Sequence, residues 1–184
     1  MPRTQPAFRC AKPNGGRSVC VSGTKVSNSL YLEYAETALY HLTPMRIDYA
    51  LIEPELTSRF RVLTRDLAQT AISPGLRALV ELRVSQINYC TYCIQVHQSE
   101  AQKLGEDQAR LEQLSEWRTS TLYTPQEQAA LAWAEALTHA DTIHQDEAEY
   151  AHLTTLFSEP EIVALGMVVS LANFWNRMAG GFRK

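Results

Sequence analysis

One short stretch holds the residues best suited to chemistry: Glu81-Leu-Arg-Val-Ser-Gln-Ile-Asn-Tyr-Cys90-Thr-Tyr-Cys93-Ile-Gln-Val-His97. On a helix Cys90 and Cys93 lie one turn apart, near enough for a disulfide after modest adjustment. His97 is four residues beyond Cys93, so it shares that face and can approach the sulfur. With the pair near a helix N-terminus, the helix dipole and unpaired amides would stabilise a thiolate. Glu81 falls on the preceding helix. If that helix packs antiparallel, its carboxylate can reach the far nitrogen of His97 and orient the ring. Thiol, base and orienting carboxylate together form an activated-nucleophile set. Such a set suits a peroxide: a thiolate attacks the O–O bond, an acid protonates the departing oxygen, and a second thiol resolves the sulfenic acid into a disulfide.

Each piece has a plainer reading. Two cysteines at this spacing can be small buried hydrophobes, His97 a satisfied polar residue, and Glu81 a solvated helix charge. Cys90, Cys93 and His97 can also supply three zinc ligands with a fourth from elsewhere. No second CxxC or HxxxH completes that set, so neither a metal nor a cofactor is expected. It is the combination that favours redox chemistry. Cys10 and Cys20 lie far from the motif with no organised spacing, and His139, His144 and His152 read as surface residues.

The chain around these residues has 184 residues, 17 Lys+Arg, 20 Asp+Glu and a formal charge of −3. Its 45% hydrophobic and 20% charged content is ordinary for a globular domain that can bury a sizeable core. Mild acidity gives no pull towards nucleic acid. No uninterrupted apolar run approaches the ~18 residues of a membrane span, so no membrane is expected among its partners. Four cysteines are too few for a disulfide scaffold of this size.

The charge is unevenly distributed. Residues 1–29 carry five basic and no acidic groups, leaving a net −8 on the rest. Their Pro and Gly density and weak periodicity predict an unstructured segment. The composition overlaps that of transit peptides, while a start codon read too far upstream, with Met45 the natural beginning, is the other expectation. A short accessory helix is predicted over 30–42. Residues 1–44 are thus taken as an extension and 45–184 as the domain.

From Met45 onward the pattern is helical. Pro54 opens a helix carrying Leu56, Phe60, Leu63 and Leu67 at three- and four-residue steps. Ser73-Pro74 caps a second helix, which Asn88-Tyr89-Cys90 breaks, and a third runs through Ile94, His97 and Leu104 to Gly105. A shorter segment covers Asp107 to Trp117. Capping boxes at Thr124–Glu127 and Ser158–Glu161 launch two more helices, the second strongly apolar, with an amphipathic stretch from about Glu147 to Phe157 between them. Nothing in this region alternates with period two. The fold class read from the sequence is all-α.

These motifs make the chain similar to the alkylhydroperoxidase-like proteins of the carboxymuconolactone decarboxylase superfamily, in the branch that carries CxxC. The resemblance runs from Met45-Arg-Ile-Asp-Tyr49 to about Phe182-Arg183. It is most specific from Leu82-Arg-Val-Ser-Gln-Ile-Asn88 into Cys90-Thr-Tyr-Cys93 and His97, with further likeness at Leu114–Arg118, Ala130–Leu137 and Asn173-Phe-Trp-Asn-Arg177. It implies an alkylhydroperoxidase-like helical bundle that assembles into a homo-oligomer (dimer, trimer or hexamer). It also implies a peroxidase in which Cys93 attacks the hydroperoxide, Cys90 resolves it, His97 relays a proton from Cys93, and Glu81 assists His97. Read without the resemblance, the first cysteine of a helix-capping pair would be the reactive one; the shared face of His97 and Cys93 favours the family's assignment.

Two positions depart from the well-studied alkylhydroperoxidases. Tyr92 stands where they have a histidine, and their glutamate matches Ala78 rather than Glu81. A three-residue shift keeps roughly the same helical face. The expectation is therefore a cytoplasmic thiol-dependent peroxidase for hydrogen peroxide or organic hydroperoxides, cycling a Cys90–Cys93 disulfide. The resemblance implies a lipoyl-bearing or other dithiol reductant. The alternative is a redox-responsive binding or regulatory protein that uses the same disulfide without turnover.

Overall fold

The structure, a computed structural model, describes residues 8–11, 19–22, 45–139, 141 and 147–183. The chain divides into two units, Met1–Tyr40 and His41–Lys184. In the first, β1 (Phe8–Ala11) pairs antiparallel with β2 (Val19–Ser22), placing Cys10 opposite Cys20. This ladder lies in the segment whose composition predicts no structure. Phe8, Val19 and Val21 suit a strand, and the pairing is too short for the periodicity to reveal. The helix predicted over 30–42 lies outside the described residues.

The second unit is all-α. Its helices are α1 (Tyr49–Ile52), α2 (Pro54–Leu67), α3 (Pro74–Ile87), α4 (Thr91–Lys103), α5 (Gln108–Glu112), α6 (Pro125–Thr138), α7 (Glu147–Leu156) and α8 (Glu159–Phe182), with a 3₁₀ turn at Leu114–Glu116. Their starts are set locally. The Ser73 hydroxyl accepts from the Leu76 amide, and the boxes Thr124–Glu127 and Ser158–Glu161 are both closed. Pro74, Pro125 and Pro160 occupy the first turns, where a missing N–H costs nothing.

Helix α3 is the centre of the bundle, packed against α4, α6 and α8. On one side Leu76, Val80 and Val84 meet Leu153, Leu165 and Val168. On the other, Leu79 and Leu82 meet Leu111, Leu114, Trp117 and Leu131. A helix buried on both sides draws its polar residues into the interior with it, and this brings Arg77, Glu81 and Ser85 inside. The carboxylate of Glu135 ties α6 to this frame, accepting from Arg83 of α3 at 2.7 Å, from the Trp117 indole at 2.8 Å and from Arg118 at 2.8 Å.

Two features differ from the periodicity. The α2 residues Leu56 and Leu63 are exposed, as are Leu51 and Ile52 of α1; among the described residues α2 packs chiefly on α1 and α8. Among the described residues, α8 is long and apolar enough to cross a membrane by length and composition, although 56% of its most apolar window is buried inside the fold. Ile162, Leu165, Val168, Val169 and Ala172 supply that buried stripe, which makes α8 a core helix of this unit.

Candidate functional site

The turn between α3 and α4 sets the cysteines. Helix α3 ends at Ile87, and the chain reverses through Tyr89, the one described non-glycine residue with positive φ (52°). The Cys90 amide then donates to the Ser85 carbonyl at 3.1 Å. The Asn88 side-chain amide fixes this turn, donating to the Val84 carbonyl at 3.1 Å and to the side-chain oxygens of Asn173 and Asn176 at 2.9 Å each. Asn176 in turn donates to the Ser85 hydroxyl at 3.1 Å. Four polar side chains thus rivet the turn to α8. Replacing Asn88 with alanine takes the donor from the buried Asn176 side-chain oxygen, while Asn173 keeps Arg177, and is expected to cost about 1–3 kcal/mol. Urea denaturation of the reduced protein measures this, and an unchanged midpoint would show the network to be dispensable.

Cys90 is the N-cap of α4, and its sulfur accepts from the Cys93 amide at 3.4 Å. The two cysteines form a disulfide with Cα atoms 5.3 Å apart. Both are buried, at 7% and 4% exposure, in a cluster with Ala179 of α8 and the partly buried Tyr92. The Arg183 guanidinium stacks on the Tyr92 ring, 3.8 Å from its centroid. Tyr92 is therefore a packing partner of an arginine. Tyr89 stands outward beside the pair, 88% exposed.

One turn further along α4 lies His97. The packing of α3 against α4 brings Glu81 to it, with a carboxylate oxygen 3.7 Å from Nδ1. Glu100 of α4 approaches the same nitrogen at 3.6 Å. Arg77, one turn before Glu81, reaches both carboxylates: Nη1 lies 3.4 and 3.5 Å from the Glu81 oxygens and Nη2 lies 3.8 Å from Glu100. Of this cluster, Glu81 and His97 were expected from the sequence and Arg77 and Glu100 were not. Their signal was the helical spacing, four before Glu81 and three after His97. The plainer reading of Glu81 as a solvated charge does not hold, since α3 has no solvated face at this turn.

Burial pushes the Glu81 carboxyl above the ordinary carboxylate range; His97 and Arg77 oppose that shift and Glu100 adds to it. Because the folded-state value is raised, the group's contribution to stability is present below the unfolded value. It is lost as pH rises through the folded value. Glu81→Gln removes this term, so its melting temperature relative to wild type is expected to become more favourable from acidic to neutral pH. A flat or opposite trend in thermal melts would contradict the assignment.

The donor atoms of Glu81, His97 and Glu100 lie within 4.8 Å of one another, close enough to surround an ion. The Arg77 guanidinium already lies against both carboxylates and supplies the positive charge there, so the set does not fit a divalent cation. The zinc alternative fares no better in this state, because the two sulfurs it needs are bonded to each other.

Comparison with known proteins shows the family and the fold. The sequence pattern of the Carboxymuconolactone decarboxylase family matches residues 54–136, from the start of α2 to near the end of α6. The Bacillus subtilis protein YdfG, itself uncharacterized, is 31% identical over 134 residues, covering 73% of this chain and 91% of YdfG. A solved structure from Agrobacterium tumefaciens, of unknown function and named as a candidate antioxidant defence protein AhpD, is 34% identical. It covers 76% of this chain and 95% of its own with a TM-score of 0.72. The debrominase Bmp8 shares the fold at 23% identity and a TM-score of 0.65, over 71% of this chain and 70% of its own.

Proposed function

Because the chain belongs to the carboxymuconolactone decarboxylase/alkylhydroperoxidase-like superfamily, we propose that it is a thiol-dependent peroxidase working through Cys90 and Cys93. The observation that carries this reading is the Cys90–Cys93 disulfide at the start of α4, one turn from a histidine flanked by Glu81. The antioxidant role in the name of the Agrobacterium relative points the same way.

The cycle balances as follows. In the reduced protein the Cys93 thiolate attacks the terminal oxygen of a hydroperoxide. The O–O bond breaks, His97 returns to the departing oxygen the proton it took from the thiol, and an alcohol (or water) leaves with Cys93 as its sulfenic acid. Cys90 then attacks the Cys93 sulfur, the hydroxyl leaves as water, and the disulfide forms. An external dithiol returns two electrons and two protons and becomes a disulfide itself. The N-cap position suits Cys90 to the resolving role in both directions. A thiolate stabilised by amides at a helix N-terminus is available to attack the sulfenic acid and is the better leaving group when a reductant attacks Cys93.

Trapping tests the assignment. Cys90→Ser, treated with one equivalent of hydrogen peroxide and then dimedone, is expected to carry the adduct on Cys93 by peptide mass spectrometry. An adduct on Cys90 in Cys93→Ser, with none on Cys93 in Cys90→Ser, would reverse the two roles. The cytoplasm, where thiols are kept reduced between turnovers, is the compartment this cycle calls for.

A further inference from the structure

We propose that Glu100 is a positioning residue of this same site, sharing with Glu81 a two-carboxylate cradle for the Nδ1–H of His97 that Arg77 holds together. The inference rests on the peroxidase reading for its consequence but on geometry for its content. The two carboxylates reach Nδ1 from different helices, α3 and α4, at nearly equal distances of 3.7 and 3.6 Å. No hydrogen bond within normal length satisfies that nitrogen in the oxidised structure, although it is buried. Such contacts commonly tighten when a site is charged for reaction.

Charge explains why two carboxylates can sit together here. Their side chains are only 10% and 15% exposed, and two buried anions this close would repel strongly. Arg77 contacts both through separate nitrogens and neutralises one of the two charges. Both carboxylates still face a single ring nitrogen. A proton on Nδ1 complements their oxygens; a lone pair there would be repelled. The cradle therefore fixes the proton on Nδ1 and leaves Nε2 as the nitrogen that exchanges a proton with the thiol. Helix α8 also packs on α4; its Arg177 is engaged with Asn173, and Arg183, just past its C-terminus, lies over the Tyr92 ring.

The test uses the reduced, full-length protein with ¹⁵N-labelled histidine. Long-range ¹H–¹⁵N spectra at a pH where the ring is neutral are expected to show His97 protonated on Nδ1 in wild type. In Glu100→Gln they are expected to show a mixture of the two tautomers. Peroxide oxidation of Cys93 in that variant should slow about tenfold, part of the 10²–10⁴-fold that a positioned acid–base group contributes. Glu100→Asp keeps the charge on a shorter arm and should retain the Nδ1–H form. Wild-type His97 protonated on Nε2 overturns the proposal without any variant. So does a folded Glu100→Gln with unchanged spectrum and rate, which would leave Glu100 as an ion-pair partner of Arg77 only. A cradle seen by NMR in a protein that does not consume peroxide would instead overturn the peroxidase reading and leave the cradle standing.

Discussion

Cys93→Ser is expected to reduce peroxide consumption by on the order of 10³-fold or more, the scale on which removal of a covalent nucleophile acts. Serine is nearly the size of cysteine, and the cap of α4 uses the Cys93 backbone amide and the Cys90 sulfur, both of which the substitution keeps. The fold should therefore survive in the reduced state, where the disulfide's constraint on the unfolded chain plays no part. Cys90→Ser differs in kind. It should consume its first equivalent of peroxide at close to the wild-type rate and then stall, because the sulfenic acid on Cys93 has no resolving thiol. Steady-state assay with a dithiol reductant, alongside single-turnover mixing, separates the two variants. Equal activity in Cys93→Ser and wild type would remove Cys93 from the reaction.

Arg77→Met should have the largest effect on stability. The side chain of Arg77 is 7% exposed and is the guanidinium that lies against both Glu81 and Glu100. Methionine fills much of its volume but leaves two carboxylates buried beside each other without that charge. Breaking a buried pair in this way costs about 3–5 kcal/mol. The loss should shrink at acidic pH, as the stranded carboxylates take up protons. Arg77→Lys is not expected to rescue it fully, since one ammonium cannot present two planar nitrogens to two carboxylates. Urea denaturation at neutral and acidic pH checks this. A loss below about 1 kcal/mol at neutral pH would mean that the cluster is solvated and the site open.

What could be read from the chain was what is decided locally. The caps at Ser73, Thr124 and Ser158 are each written within four residues, and the structure closes all three. The break at Asn88-Tyr89-Cys90 was legible for the same reason, as was the shared face of Cys93 and His97. Contacts decided by tertiary packing were not. Nothing near Glu81 in sequence says that α3 is enclosed by α4, α6 and α8, so its burial and the value of Arg77 beside it stayed hidden. Asn88 and Asn176 are 88 residues apart, and only the packing of α3 on α8 shows that they meet. The stripe of Leu56 and Leu63 had the period of a buried face, yet among the described residues it has too few neighbours to cover it. Glu100 differs from these: its three-residue spacing from His97 is local and places both on one face of α4.

The most direct measurement is stopped-flow oxidation of the reduced wild-type protein by cumene hydroperoxide, with the products counted by mass. A peroxidase of the proposed kind forms one Cys90–Cys93 disulfide per peroxide consumed, at a second-order rate far above that of free cysteine. A rate equal to that of free cysteine, unchanged in Cys93→Ser, would contradict it and leave the disulfide as a switch for binding rather than a step in catalysis.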